Sequence, residues 1–137
     1  MNEPRADIQP ELWVSDGSAA IAFYERALDA VVEHRVTGPT ESDVIAQLSV
    51  AGARFWVSNS SESLRRFSPE VIGGATGRML LVIDDPASVL SAAVAAGATQ
   101  TSPVGDEHGW RLGRFRDPFG HEWEVGRPLG PWPPASG

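Results

Sequence analysis

At 137 residues and without cysteine, the chain is long enough for one domain with a proper core, and it has neither disulfides nor thiolate chemistry. Its formal net charge of −7 argues against nucleic acid or an anionic membrane surface as a partner. No apolar run approaches the roughly 18 residues of a membrane span, and the mixed charges of Met1 to Asp7 do not suit a signal peptide. A cytoplasmic protein with a small-molecule partner is the expectation.

Ile8 to Val14 reads as a strand, and Asp16 or Ser18 can cap the helix that follows. Ala19 to Leu28 is amphipathic, with Ile21, Tyr24 and Leu28 recurring at helical spacing. Three strand-like stretches come next: Val31 to Val36, Asp43 to Val50 and Arg54 to Ser58. Asn59 to Thr76 is a connector that contains Ser68-Pro69-Glu70, Gly73-Gly74 and room for one short helical turn. The second half replays this order. Met79 to Ile83 is a strand, Asp84-Asp85-Pro86 opens a helix over Ala87 to Ala96, and strands follow near Ala98 to Ser102, Trp110 to Arg116 and His121 to Val125. Gly52 to Val57 matches Gly120 to Val125 at an offset of about 68 residues. An α+β fold of two tandem βαβββ modules follows, about 8–58 and 78–126, forming a curved sheet around a cleft. The single domain spans 1–127. A Pro-rich tail, 128–137, is too rich in proline for regular structure, although its Trp132 has somewhere to dock.

Asp117-Pro118-Phe119-Gly120 has tight-turn chemistry: Asp opens the turn, Pro fixes φ and Gly accepts a positive φ. In the strand after it, His121, Trp123 and Val125 alternate with Glu122 and Glu124. Glu124 is therefore a candidate metal ligand, general base or recognition group.

Ser15-Asp16 with AIAFYERAL (Ala20 to Leu28), SPEVIGG (Ser68 to Gly74), VAAGAT (Val94 to Thr99) and WRLGRFRDPFGHEWEV (Trp110 to Val125) together resemble the vicinal oxygen chelate superfamily, also called glyoxalase/bleomycin-resistance/dioxygenase. The SPE-x-x-GG and DPFGH-x-W elements are most similar to its PhnB-like branch. The resemblance implies four metal-ligand positions on the first and last strands of the two modules, usually His or Gln, Glu, His and Glu. Here they fall on Gln9, Trp56, Arg78 and Glu124. An indole offers no acceptor, and a guanidinium repels a divalent cation. A register shift of one hairpin brings in Gln47, and the set Gln9, Gln47 and Glu124 still holds a single carboxylate. The expectation is a site without metal or other cofactor.

The same positions suggest a mixed cleft. Arg78 and Glu124 form a charge-assisted pair, and Trp13, Trp56 and Trp110 supply flat walls beside Gln9 and Glu11. Such a cleft suits a planar or cationic organic ligand, as in the antibiotic-binding members that this pattern resembles, and a homodimer is expected. The alternative is a lyase, isomerase or dioxygenase that uses Glu124 as base, with or without a divalent ion. Trp123 reads as structural, His121 as a turn partner, and Glu122 and His34 as solvated; His108 belongs to a Gly-bearing loop of the kind that can close over a ligand, although a lone His in an acidic loop is usually just exposed.

Overall fold

A computed structural model describes residues 5–38 and 43–134. Its elements are β1 (Glu11–Val14), α1 (Gly17–Leu28), β2 (Val31–Thr37), β3 (Val44–Val50), β4 (Ala53–Asn59), α2 (Pro69–Ile72), β5 (Arg78–Val82), α3 (Pro86–Ala95), β6 (Thr99–Glu107), β7 (Trp110–Arg116) and β8 (Glu122–Pro128). Two four-stranded mixed sheets result, ordered β1-β4-β3-β2 and β5-β8-β7-β6. The α+β reading and the two βαβββ modules hold, with α2 in the connector between them. No helix among the described residues is long and apolar enough to cross a membrane.

Local chemistry explains the elements. Asp16 caps α1 by accepting from the Ala19 amide at 3.0 Å, and Asp85 caps α3 by accepting from Ser88 at 3.1 Å. Each such cap contributes about 1 kcal/mol. The αL conformation of Asp29 stops α1, and its amide closes onto the Tyr24 carbonyl. β1 starts at Glu11, later than Ile8: Ile8 is 94% exposed, and Pro10 has no amide to enter a ladder. β6 runs on to Glu107, well past Ser102. Pro103 and Gly105 read as breakers, yet β6 is an edge strand whose bulges near Ser102 and Gly105 absorb them. The loop expected around His108 is a two-residue hairpin turn. His108 and Gly109 both have positive φ, the geometry that matches strand twist.

α1 packs on the first sheet, α3 on the second, and the helices on each other. The inward faces of both sheets meet in one aromatic core. Tyr24 lies edge-on to Phe55 with centroids 5.4 Å apart, Phe55 lies 5.7 Å from Trp123, and Trp123 stacks on Phe115 at 6.0 Å. Phe55 belongs to module 1 and Trp123 to module 2, so the halves share their largest buried side chains. The outward faces of the two sheets turn away from this common core. The last tail residues, 135–137, and the first four residues lie outside the described part.

Candidate functional site

Strand alternation decides which side chains leave the core. In module 1, Leu48, Phe55 and Val57 are buried on the α1 side, so Gln47 and Trp56 project the other way. Their registers set Trp56 opposite Gln47 on β3 and Glu11 on β1. Just before β1, the Gln9 side-chain oxygen accepts from Gln47 Nε2 and from Trp56 Nε1, each at 2.8 Å. Both lone pairs of that amide oxygen are used.

Module 2 repeats the arrangement with different chemistry. Phe115, Trp123 and Val125 are buried inward, and Arg114 stands opposite Glu124 on the outward face, with Leu80 as the β5 partner of Glu124. Arg78 precedes Leu80 by two residues, as Gln9 precedes Glu11. The registers therefore make Gln9 the counterpart of Arg78, Gln47 of Arg114 and Trp56 of Glu124. Arg114 Nε donates to Glu124 Oε2 at 2.7 Å, and Arg78 Nη2 lies 3.5 Å from the same oxygen. Arg114 also donates through Nη2 to Glu107 at 2.9 Å. The hydrogen bond donated to Glu124 is the main cause that holds the Arg114 guanidinium above its ordinary range; slight desolvation opposes it, and the charges of Glu124 and Glu107 add to it.

The expected Arg78–Glu124 pair is present, but the shorter bond belongs to Arg114, which the sequence reading passed over. A signal existed. Arg114 and Glu124 lie equally far from the Asp117-to-His121 turn, as do Arg116 and Glu122, so hairpin register alone sets them face to face. Glu122, read as solvated, accepts from Arg116 Nε at 2.7 Å.

The DPFG turn does more than reverse the chain. Asp117 is buried, and its Oδ1 accepts from the Phe119 and His121 amides at 2.9 and 3.0 Å. Its Oδ2 accepts from Trp123 Nε1 at 3.0 Å and from the Tyr24 hydroxyl on α1. Burial, then the charge of Asp117 and its hydrogen bond, push the Tyr24 phenol well above its ordinary value. His121 Nε2 meets the Trp13 carbonyl oxygen at 2.8 Å, a second tie between the halves.

Two of the clefts that border the connector include candidate residues. Glu11 and Trp13 line one of ≈ 380 Å³ with Phe67, Ile72, Met79 and His121. Arg78 lines another of ≈ 470 Å³ with Thr101, Ser102, Arg114 and Glu122. Ala75 to Gly77 form a wall of both. Gln9, Trp56 and Glu124 border neither of them. Trp110 is not an open wall, because Trp132 of the tail sits edge-on to it with centroids 5.2 Å apart. Among the described residues no hydrogen bond or ion pair joins the Gln9 cluster to the Glu124 cluster.

The family model for the Glyoxalase-like domain matches residues 11–126, which is most of both modules. The chain belongs to that family. This glyoxalase-like protein thereby falls within the vicinal oxygen chelate superfamily. It is 32% identical over 126 residues to a protein of Mycobacterium bovis, an alignment that covers 89% of this chain and 83% of the relative. Among solved structures it resembles TioX from Micromonospora sp. ML1, at TM-score 0.70 and 23% identity over 91% of this chain and 100% of that one. It also resembles the fosfomycin resistance protein FosX from Listeria monocytogenes, solved with Mn(II) and sulfate, at TM-score 0.68 and 14% identity over 95% of this chain and 96% of that one. At these identities the structural likenesses establish the fold.

A divalent ion is the group such a fold implies, and the residues at its expected positions in this glyoxalase-like domain do not fit one. Gln9 has no free lone pair on its oxygen, Trp56 is only a donor, Arg78 is cationic, and Glu124 already faces two guanidiniums. Gln47 gives its amide to Gln9 and does not approach Glu124. Among the described residues, no three of His, Cys, Asp or Glu gather as a metal site.

Proposed function

We propose that this glyoxalase-like protein binds a small planar organic molecule without metal and without chemistry, as an antibiotic-sequestering protein would. The observation that carries the reading is the Trp13 cleft. Its ≈ 380 Å³ fall within the range of small-ligand sites. Trp13, Phe67, Ile72 and Met79 give apolar surface, and Glu11 and His121 give two placed polar groups. An exposed carboxylate beside an indole favours a cationic group on the ligand. The acceptors of both outward clusters, the Gln9 amide oxygen and the Glu124 carboxylate, are already engaged by the chain's own donors, which supports positioning rather than coordination. An enzyme using Glu124 as base is the less favoured reading, since Arg114 and Arg78 crowd the oxygen that would take the proton.

The PhnB-like branch and a cytoplasmic homodimer belong to the same proposal, with neither nucleic acid nor membrane as partner. Val36 and Ile45 on the outward face of the first sheet, and Leu80 and Val82 on β5, are exposed apolar side chains that a second copy would cover.

Protein purified without added metal is expected to contain no stoichiometric ion by elemental analysis, and planar cationic heteroaromatics are expected to quench its tryptophan emission. Trp13→Ala should weaken that binding at least about tenfold, the loss of one well-placed aromatic wall. Zinc, nickel, manganese or iron retained near one per chain would overturn metal independence. Unchanged affinity in Trp13→Ala would remove the cleft from the proposal.

A further inference from the structure

Four arginines lie on β5 and β7, and three of them are committed. Arg111 holds Asp106 through two bonds at 2.9 and 3.2 Å, Arg114 holds Glu124 and Glu107, and Arg116 holds Glu122. Arg78 is the exception. A guanidinium carries five donors, yet that of Arg78 makes no hydrogen bond among the described residues, and its one ion pair is a 3.5 Å approach to a Glu124 oxygen that Arg114 already holds at 2.7 Å. Its side chain is 48% exposed at the wall of the ≈ 470 Å³ cleft.

The rest of that wall is rich in donors. The Thr76 and Thr101 hydroxyls have no partner among the described residues, and Ser102 Oγ reaches only its neighbour's carbonyl at 3.5 Å. The amides of Ala75, Thr76 and Gly77 likewise have no acceptor there. Glu122 is the one carboxylate on the wall, and Arg116 neutralises it. An uncommitted cation, three hydroxyls and three successive amides with no matching acceptor select a ligand that brings acceptors.

We propose that the Arg78 cleft is a carboxylate-binding subsite, in which the Arg78 fork takes both oxygens of a planar organic acid and the Thr76, Thr101 and Ser102 hydroxyls close around them. The planar fork matches carboxylate geometry bidentately. Because Ala75 to Gly77 also wall the Trp13 cleft, an acid seated at Arg78 has its apolar body beside Met79 and Trp13. The inference rests on the proposed Trp13 cleft for the ligand's body, while the acid group needs only residues of module 2 and the connector. The resulting ligand class is a planar acid, or an amphoteric molecule whose cationic end faces Glu11. At the position corresponding to Gln9 in module 1, this chain thus carries its own fixed positive charge.

Benzoate, its uncharged analogue benzamide and inorganic phosphate can be titrated into the full chain, read by amide shifts in the NMR spectrum. Benzoate should move the Ala75, Thr76, Gly77 and Ser102 amides with saturation, at least about tenfold more tightly than benzamide, and Arg78→Gln should abolish that preference. Arg78→Lys should restore charge attraction but only part of the affinity, since it lacks the fork. Phosphate saturating more tightly than benzoate would overturn the carboxylate assignment. Benzoate shifts confined to other residues, or an unchanged preference in Arg78→Gln, would overturn the subsite. The parent and Arg78→Gln are also titrated with a neutral planar quencher. If quenching persists while the benzoate preference is absent, the subsite fails alone; if quenching is absent but benzoate still shifts the amides, the Trp13 cleft fails alone.

Discussion

The outward clusters of the two modules occupy equivalent positions and differ in every side chain. Module 1 has Gln9, Gln47 and Trp56, all neutral, gathered on an amide oxygen at the start of the sheet. Module 2 has Arg78, Arg114 and Glu124, all charged, gathered on a carboxylate oxygen in the closing strand. The acceptor has moved from the first strand's side of the sheet to the last strand's. A duplicated scaffold thus preserves where three side chains meet and leaves open what they are, which is the physical content of the statement that fold does not settle function. The neutral cluster is suited to hydrogen-bonding edges and flat contact. The charged one sets a local field that the net charge of −7 does not reveal.

This contrast presumes that both clusters hang on one core, and the hardest test cuts the joint. Asp117→Ala leaves the Tyr24 hydroxyl, the Trp123 indole and two amides without their buried acceptor. A loss of about 4 kcal/mol is expected from urea unfolding, in a single transition. Two separate transitions would mean that the modules fold independently and that the comparison has no shared frame.

A smaller effect isolates the same joint by pH. Tyr24 is the chain's one tyrosine, and the chain has eleven arginines but no lysine and no cysteine. The phenol is therefore the one side chain whose ordinary value lies between about pH 8 and 12. Its folded value lies above its unfolded one, so its contribution is complete below about pH 10 and is lost as pH climbs through the folded value. Urea midpoints should fall as pH rises above about 10, with phenolate absorbance rising in step. Tyr24→Phe should cost about 2 kcal/mol at neutral pH and flatten the alkaline fall. An equally steep fall in the variant would place the titration elsewhere.

The smallest effects sharpen the contrast itself. Arg114→Gln should cost about 1 kcal/mol in low salt and less near 1 M NaCl, where charges are screened within about 3 Å. Gln47→Ala, which removes one neutral hydrogen bond, should cost about 1 kcal/mol at both salt concentrations. Equal salt dependence in the two variants would erase the distinction between a neutral and a charged cluster.

Much of the frame was legible because it depends on local pattern. Trp110 to Arg116 was read with its bounds, and α1 was read two residues short of its start at Gly17. The errors came where tertiary setting overrides a local signal. Pro103 and Gly105 break a central strand but are tolerated on the β6 edge, and His108-Gly109 reads as a loop until both φ values are seen to be positive. At the outward clusters, residue identity was legible and partnership was not. Arg78 and Arg114 are both guanidiniums within reach of Glu124, and only the β7–β8 register decides that Arg114 is nearer. Trp110 carried the right chemistry for a wall, and a tail residue far along the chain took it.

The motifs that carried the resemblance have a common address. Ser15 Oγ donates to Glu70 of the SPE run at 2.9 Å, and His121 of DPFGH reaches the Trp13 carbonyl just before Ser15. Gly120 has φ +92, and a Cβ there would stand 2.8 Å from Pro69 Cβ, so a side chain at 120 would displace the connector. Three signatures that look separate along the chain are thus one knot, tied around the connector where the halves join. A substitution in one strand of the knot should be felt energetically through the other two. Such signatures advertise how the molecule is assembled.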